Sequence, residues 1–270
     1  MELTSATDIK RPLQETLSAH VIPKLLGQTG VVPHANAFTD AQCEALAQAC
    51  VSAETVEVER CARRFLALGL GIEGLFLGAI PTAARLFHDW WAEDRIDFVD
   101  VTRGTFQLEE LVYTLSTEFV LHGPAKLAAS GFKALLVNTP GSHHSLGLLI
   151  LSQYFKRYGW HILGGTTWRE PDMAITVQSS HVDLIGISVS DEKQFGYLKQ
   201  LIANLRKKSL NPGLLVMVGG PMLPKHAQLS EWLGADFACL HADQAQLMAM
   251  QQVEQARHRM GKTSDSAVFK

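Results

Sequence analysis

Two neighbouring histidines, His143 and His144, stand in the run Ser142-His143-His144-Ser145-Leu146-Gly147. The run follows an apolar, strand-like segment, Ala134-Leu135-Leu136-Val137, and precedes an amphipathic helical pattern that continues to Tyr158. A histidine in a strand-to-helix turn, three residues ahead of a glycine, is placed to hold a flat, metal-containing cofactor. Such a turn leaves the carboxyl end of a parallel sheet, where open α/β folds bind ligands. For His144 alone, the plain alternative is a surface histidine pair on an ordinary doubly wound domain.

Two further marks reduce that alternative. Ser188-Val189-Ser190 ends a second apolar strand that begins at Asp183, and Gly219-Gly220 ends a third that runs from Leu214 to Val218. Forty residues separate Gly147 from Ser188, and 28 separate Ser190 from Gly219. In order and interval the pattern resembles the signature of the cobalamin-binding domain: Asp-x-His-x-x-Gly, then Ser-x-Leu, then Gly-Gly. The resemblance implies that His144 is the lower axial ligand of cobalt. It also implies that the cofactor's dimethylbenzimidazole tail leaves the metal and lies beside Ser188 and the glycine pair. The candidate cofactor-contacting set from this half is Ser142, His143, His144, Gly147, Ser188, Ser190, Gly219 and Gly220, with His143 expected to point away from the metal. The upper ligand (adenosyl, methyl or hydroxo) is left open. Two positions depart from the pattern: Ser142 stands where Asp or Glu orients the histidine, and Ser190 stands where mutases have Leu. A ligating imidazole usually donates its second N–H to a carboxylate or carbonyl, which raises its basicity. A serine hydroxyl accepts that bond without charge, so His144 is expected to be a weaker donor. Haem or a bilin remains an alternative ligand for the same fold.

Composition sets the outer bounds. A chain of 270 residues, 47% hydrophobic and 19% charged, describes an ordinary globular protein of one large or two small domains. A formal net charge of −3 implies no broad basic surface for nucleic acid. No apolar run approaches the roughly 18 residues of a membrane span, and the opening Met1-Glu2-Leu3-Thr4-Ser5 has no signal-like pattern. The expected location is cytoplasmic. Cys43, Cys50, Cys61 and Cys239 form no C-x-x-C pair. Cys43 and Cys50 are read as buried apolar residues.

The elements that must position these residues fall into two halves. Residues 1–123 read as an N-terminal segment and a helical bundle that caps the cofactor. A short helix is expected at Val21–Leu26, and a capping box at Thr39-Asp40-Ala41-Gln42 opens the first bundle helix. The stripe Val58, Cys61, Ala62, Phe65, Leu68 marks the second. A third helix is expected from Ile72 to about Asp94, bent or restarted at Pro81, and a fourth from about Thr105 to Val120. A linker is expected at His122-Gly123-Pro124. Residues 124–259 then alternate strand and helix, which predicts a five-stranded parallel, doubly wound, Rossmann-like α/β domain. Strands are expected at 133–137, about 160–163, 183–189, 214–218 and 236–240, and a last helix at 242–258. The polar residues 260–270 are read as a mobile tail.

The helical half carries a second resemblance. Adjacent tryptophans, Trp90 and Trp91, precede Asp94 and the stretch Phe98-Val99-Asp100-Val101-Thr102. This is similar to the W-x-x-D…FV-x-VT stretch of the PpaA/AerR regulators of bacterial photosynthesis genes. Val21-Ile22-Pro23 and the strand-turn-helix run through His144 fit the same family. The resemblance implies a corrin sandwiched between bundle and α/β domain, with a tryptophan at the bundle edge over the upper face. Residues one apart on a helix point about 100° apart, so only one of the pair can face a partner squarely. Trp91 is favoured by its spacing to Asp94, and core or inter-domain packing is the alternative for both. The resemblance further implies a light- or redox-responsive antirepressor of photosynthesis or tetrapyrrole genes. It would act through a partner repressor without its own DNA contacts, and it would not be an enzyme. A corrinoid carrier of a methyltransferase system is the other reading. The chain has no room for a substrate barrel of roughly 250 residues, and a carrier would be expected to keep the carboxylate that Ser142 replaces.

Overall fold

The first bundle helix begins at its signalled cap. The Thr39 N–H donates to Gln42 Oε1 at 2.9 Å and the Gln42 N–H donates to Thr39 Oγ1 at 3.3 Å, which opens α1 (Asp40–Ser52). In α2 (Thr55–Ala67) the predicted stripe buries Val58 and Ala62, whereas Leu68 falls past the helix end and is 73% exposed. The structure, a computed structural model, describes residues 38–52, 54–123, 131–140, 142, 145–165, 168–226 and 228–267, with side chains through Arg259. The expected helix at Val21–Leu26 and Pro124 of the expected linker lie outside the described residues, while His122 and Gly123 of that linker are described.

The expected bend at Pro81 sits one turn earlier. A short α3 (Ile72–Gly74) passes into a π-turn, Leu75–Ala79, before α4 (Ile80–Ala92), which carries Pro81 in its first turn. Proline has no N–H for the carbonyl four residues back, so the ladder just ahead of it can widen. The next helix, α5 (Phe98–Leu121), starts at Phe98 rather than Thr105. Asp97 accepts from the Asp100 N–H at 2.8 Å, and Asp100 accepts from the Asp97 N–H at 3.2 Å. Asp97 and Asp100 therefore form a capping box. Gly104 lets α5 lie against α4, because a Cβ there would stand 2.7 Å from the Phe87 ring.

The sheet has five parallel strands, β1 (Lys133–Asn138), β2 (His161–Gly165), β3 (Leu184–Ser188), β4 (Leu215–Gly219) and β5 (Phe237–Ala238), in the order β2-β1-β3-β4-β5. Leu135, Val137, Ile185 and Val216 enter one core, and Ala134, Leu136, Leu184 and Met217 enter the other. Burial on both faces explains the near-continuous apolar runs. The covering helices are α6 (Leu146–Arg157), α7 (Glu170–Ser179), α8 (Phe195–Lys208), α9 (Leu229–Leu233) and α10 (Ala242–Ala267). The last helix takes in much of the expected tail, because no proline interrupts its ladder before Ala267. Asp183 is 2% exposed and fully engaged. It accepts from the Lys133 N–H at 2.8 Å and from Arg257 at 2.8, 2.9 and 3.0 Å, which pins α10 to the sheet.

The two halves share a core through α6. Leu146, Leu149, Ile150 and Tyr154 pack into the bundle, while Leu148 and Phe155 pack on the sheet. The Tyr154 hydroxyl donates to Glu73 at 3.1 Å, and Arg157 donates to the His122 carbonyl at 3.1 Å while lying 4.5 Å from the Phe119 ring centroid. Burial, with the Glu73 charge added, pushes the Tyr154 hydroxyl pKa far up. Among the described residues, no helix is long and apolar enough to cross a membrane.

Candidate cofactor cleft

Chain connections leave β1 in one direction and β3 in the other, so the crevice outside their carboxyl ends is the switch point where such sheets bind ligands. The turn after β1 and the loop after β3 are bonded together there. The Thr139 N–H and hydroxyl both donate to the Ser188 carbonyl, at 3.1 and 2.7 Å. Gln194 Nε2 donates to the Pro140 carbonyl at 2.8 Å. The Ser190 hydroxyl donates to Ser142 Oγ at 2.9 Å. The two serines that depart from the cobalamin-domain pattern thus contact each other, and a Leu at 190 would not make that bond.

The glycine pair closes the floor. The Val189 N–H donates to the Gly219 carbonyl at 2.8 Å. Gly220 has φ +100°, and a Cβ there would meet Val189 O at 2.6 Å and Val189 N at 2.8 Å. Glycine is required at this position by the chain itself. Gly219 is freer: its Cβ would meet only the Cys239 carbonyl, at 3.2 Å.

Of these residues Ser188, Gly219 and Gly220 line a cavity of about 740 Å³ between the sheet ends and the bundle, whereas Ser142 and Ser190, expected among the cofactor contacts, do not line it. Its floor includes Ile187, Ser188, Met217, Gly219 and Gly220. Gly147, Leu148 and Leu151 of α6 and Ala245 of α10 form its sides. The roof comes from the bundle: Phe76 and Leu77 in the π-turn, then Pro81 and Arg85 in α4. Polar side chains in the lining are those of Arg85, His241, Asp243 and Gln244. Gly147 is exposed, and a Cβ built on it would meet nothing within 4 Å. A half-open, mainly apolar space with a few polar groups suits a large ligand with an apolar body and polar edges. The residues present therefore fit a corrin with its nucleotide tail.

His143 and His144 lie outside the described residues, but Ser142 and Ser145 on either side of them are placed in the turn that borders this crevice. The tryptophan pair is divided. Trp90 is 3% exposed, packs 6.4 Å from Phe87 within the bundle core and carries Arg95 at 5.0 Å. It is a core residue, which corrects its place among the cofactor contacts. Trp91 is 49% exposed and stands 6.4 Å from His88. It shares α4 with the roof residues Pro81 and Arg85 but does not itself line the cavity. The thiols fit the apolar reading: burial pushes Cys50 up to about 12 and raises Cys43.

The sequence missed the roof and the polar lining. The spacing Leu77, Pro81, Arg85 is a single helical stripe, yet nothing in it says that it faces a sheet. His241 and Asp243 follow β5, which keeps only Phe237 and Ala238 of the strand expected over 236–240, and no residue pattern marks them. Glu109 of α5 was also missed; it accepts a hydrogen bond from the Ser145 hydroxyl.

Residues 132–250 match the B12 binding domain family. The matched residues are the α/β half, on which the helical bundle packs. Over 173 residues the sequence is 28% identical to an uncharacterised 20.5 kDa protein in the bchF–crtJ intergenic region of Rhodobacter capsulatus, covering 64% of this chain and 88% of that protein. These two findings support the resemblance to a PpaA/AerR-type cobalamin-binding regulator. The fold is shared with the monomethylamine corrinoid protein of Methanosarcina barkeri. The TM-score is 0.63 at 18% identity, covering 76% of this chain and 95% of that one.

Proposed function

We propose that this protein is a cobalamin-dependent transcriptional regulator. It responds to light or redox state and acts through a partner repressor as an antirepressor of photosynthesis or tetrapyrrole genes. One observation carries the binding half of the reading: Gly147, Ser188, Gly219 and Gly220, picked out by spacing, line a single cavity at the β1/β3 switch point under a helical roof. The regulatory half draws on the Rhodobacter capsulatus relative, which lies between two named genes, and on the family resemblance.

Within this reading each element has a role. His144 ligates the metal from the turn after β1. Ser188, Gly219 and Met217 receive the tail, and Gly220 keeps the β4 end tight against Val189. Arg85 and Asp243 meet polar edges of the ligand. Bound cobalamin supplies a metal–ligand bond that light or ligand exchange can break. The π-turn lies where the roof meets the cavity, and such turns are frequent at functional sites. A ligand biases two arrangements only through contacts that differ between them. Roof contacts at Phe76 and Leu77, carried along α4 to the exposed Trp91, are that difference.

The test is partner affinity in dark and light. Purified protein loaded with adenosylcobalamin should bind a photosynthesis-gene repressor with a light-dependent affinity. Trp91→Ala should keep cofactor uptake and lose most of the dark-to-light ratio. An unchanged ratio in Trp91→Ala would show that this edge does not carry the signal. The corrinoid-carrier reading has the shared fold in its favour, and methyl transfer from the loaded protein to an acceptor would select it instead.

A further inference from the structure

Ser142 occupies the position from which a carboxylate would orient His144, and its hydroxyl is engaged with Ser190. A carboxylate nevertheless reaches this turn from the other half of the molecule. Glu109, on α5 of the bundle, accepts a hydrogen bond from the hydroxyl of Ser145, the residue after His144. Ser145 is the N-cap of α6, and its carbonyl accepts the first helical bond, from the Leu149 N–H at 2.9 Å. An N-cap serine usually turns its oxygen to a backbone N–H of its own helix. Here no side-chain cap bond forms, and the hydroxyl serves Glu109 instead. The other bonds described for this turn, through Thr139, Pro140 and Ser142, come from the α/β domain.

We infer that Glu109 is a positioning residue for the axial-ligand turn: through Ser145 it ties the bundle to the segment that carries His144, so that the position of the cap and the ligation of the metal are coupled. This rests on the reading of His144 as the cobalt ligand. Groups that orient a metal ligand typically change affinity by about 10- to 100-fold when removed, and one acting at a remove belongs at the low end.

The experiment uses the full chain, its histidines labelled with 15N, loaded with hydroxocobalamin and reduced to Co(II). Electron paramagnetic resonance then shows doublet splitting when a protein imidazole is the axial ligand and triplet splitting when the cofactor's own 14N base is. The splitting followed is the doublet. Glu109→Ala and Ser145→Ala should each weaken hydroxocobalamin binding about tenfold and lower the imidazole-ligated, doublet fraction. The double variant should be no worse than either single one, because both remove the same bond. Glu109→Gln should restore both readouts, since its amide oxygen accepts from the same hydroxyl. Wild-type affinity and splitting in Glu109→Ala and Ser145→Ala, with splitting lost in His144→Ala, would overturn the inference alone. Additive losses in the double variant would also overturn it. Splitting retained in His144→Ala would overturn the axial reading beneath it.

Discussion

Gly147→Trp should abolish cobalamin uptake and leave the apoprotein as stable as the wild type. Gly147 is the second residue of α6, exposed, on the wall of the cavity, with open space where its Cβ would lie. An indole placed there projects into volume that the tail needs and meets no protein atom near its root. Affinity should fall by at least about a hundredfold, which corresponds to roughly 3 kcal/mol. Replacing a helical glycine also removes backbone freedom from the unfolded chain, so stability should hold or rise by a few tenths of a kcal/mol. Spectrophotometric titration and thermal melting of the apoprotein check the two halves separately. Wild-type affinity in a folded Gly147→Trp protein would show that the ligand does not use this cavity.

Gly220→Val should lose both stability and binding. A branched side chain is forced into a positive φ and into the Val189 backbone, at 2.6 and 2.8 Å from its first atom. Strain of this kind costs on the order of 2–4 kcal/mol, or about 5–10 °C in melting midpoint for a chain of this size. The β3 and β4 ends would separate, and the floor of the cavity with them. Gly219→Ala makes the contrast. Its single near contact, Cys239 O at 3.2 Å, should leave the melting midpoint within a few degrees of wild type. Equal midpoints for Gly220→Val and wild type would mean that this strand end yields more easily than its bonds indicate.

The contrast between these glycines was only partly legible in the sequence. Spacing located all of them, because a ligand-binding switch point must fall at strand ends and strands buried on both faces announce themselves as apolar runs. Spacing could not say that Gly220 answers to a backbone and Gly147 to empty space, since that depends on what stands opposite in three dimensions. The same limit explains the misplaced start of α5. A box made of Asp97 and Asp100 looks like any pair of surface acids until the backbone N–H groups are seen to meet them. The tryptophan pair shows what periodicity can give. Adjacent helical residues cannot both face one side, and the structure buries Trp90 and exposes Trp91. The helix α6 read simply as amphipathic, yet it has two apolar faces that serve two cores. Glu109 meeting Ser145 joins residues 36 apart on different halves, and such a contact leaves no local pattern.

The most direct test is the absorption spectrum of the protein after incubation with cobalamin and removal of free ligand, recorded for wild type, His144→Ala and His143→Ala. Wild type should retain about one corrin per chain, with the cofactor's own base displaced and imidazole in its place. His143→Ala should match it, whereas His144→Ala should bind more weakly and lose the imidazole-ligated form. No retained corrin in the wild type, or identical spectra for wild type and His144→Ala, would contradict a cobalamin held over the turn after β1.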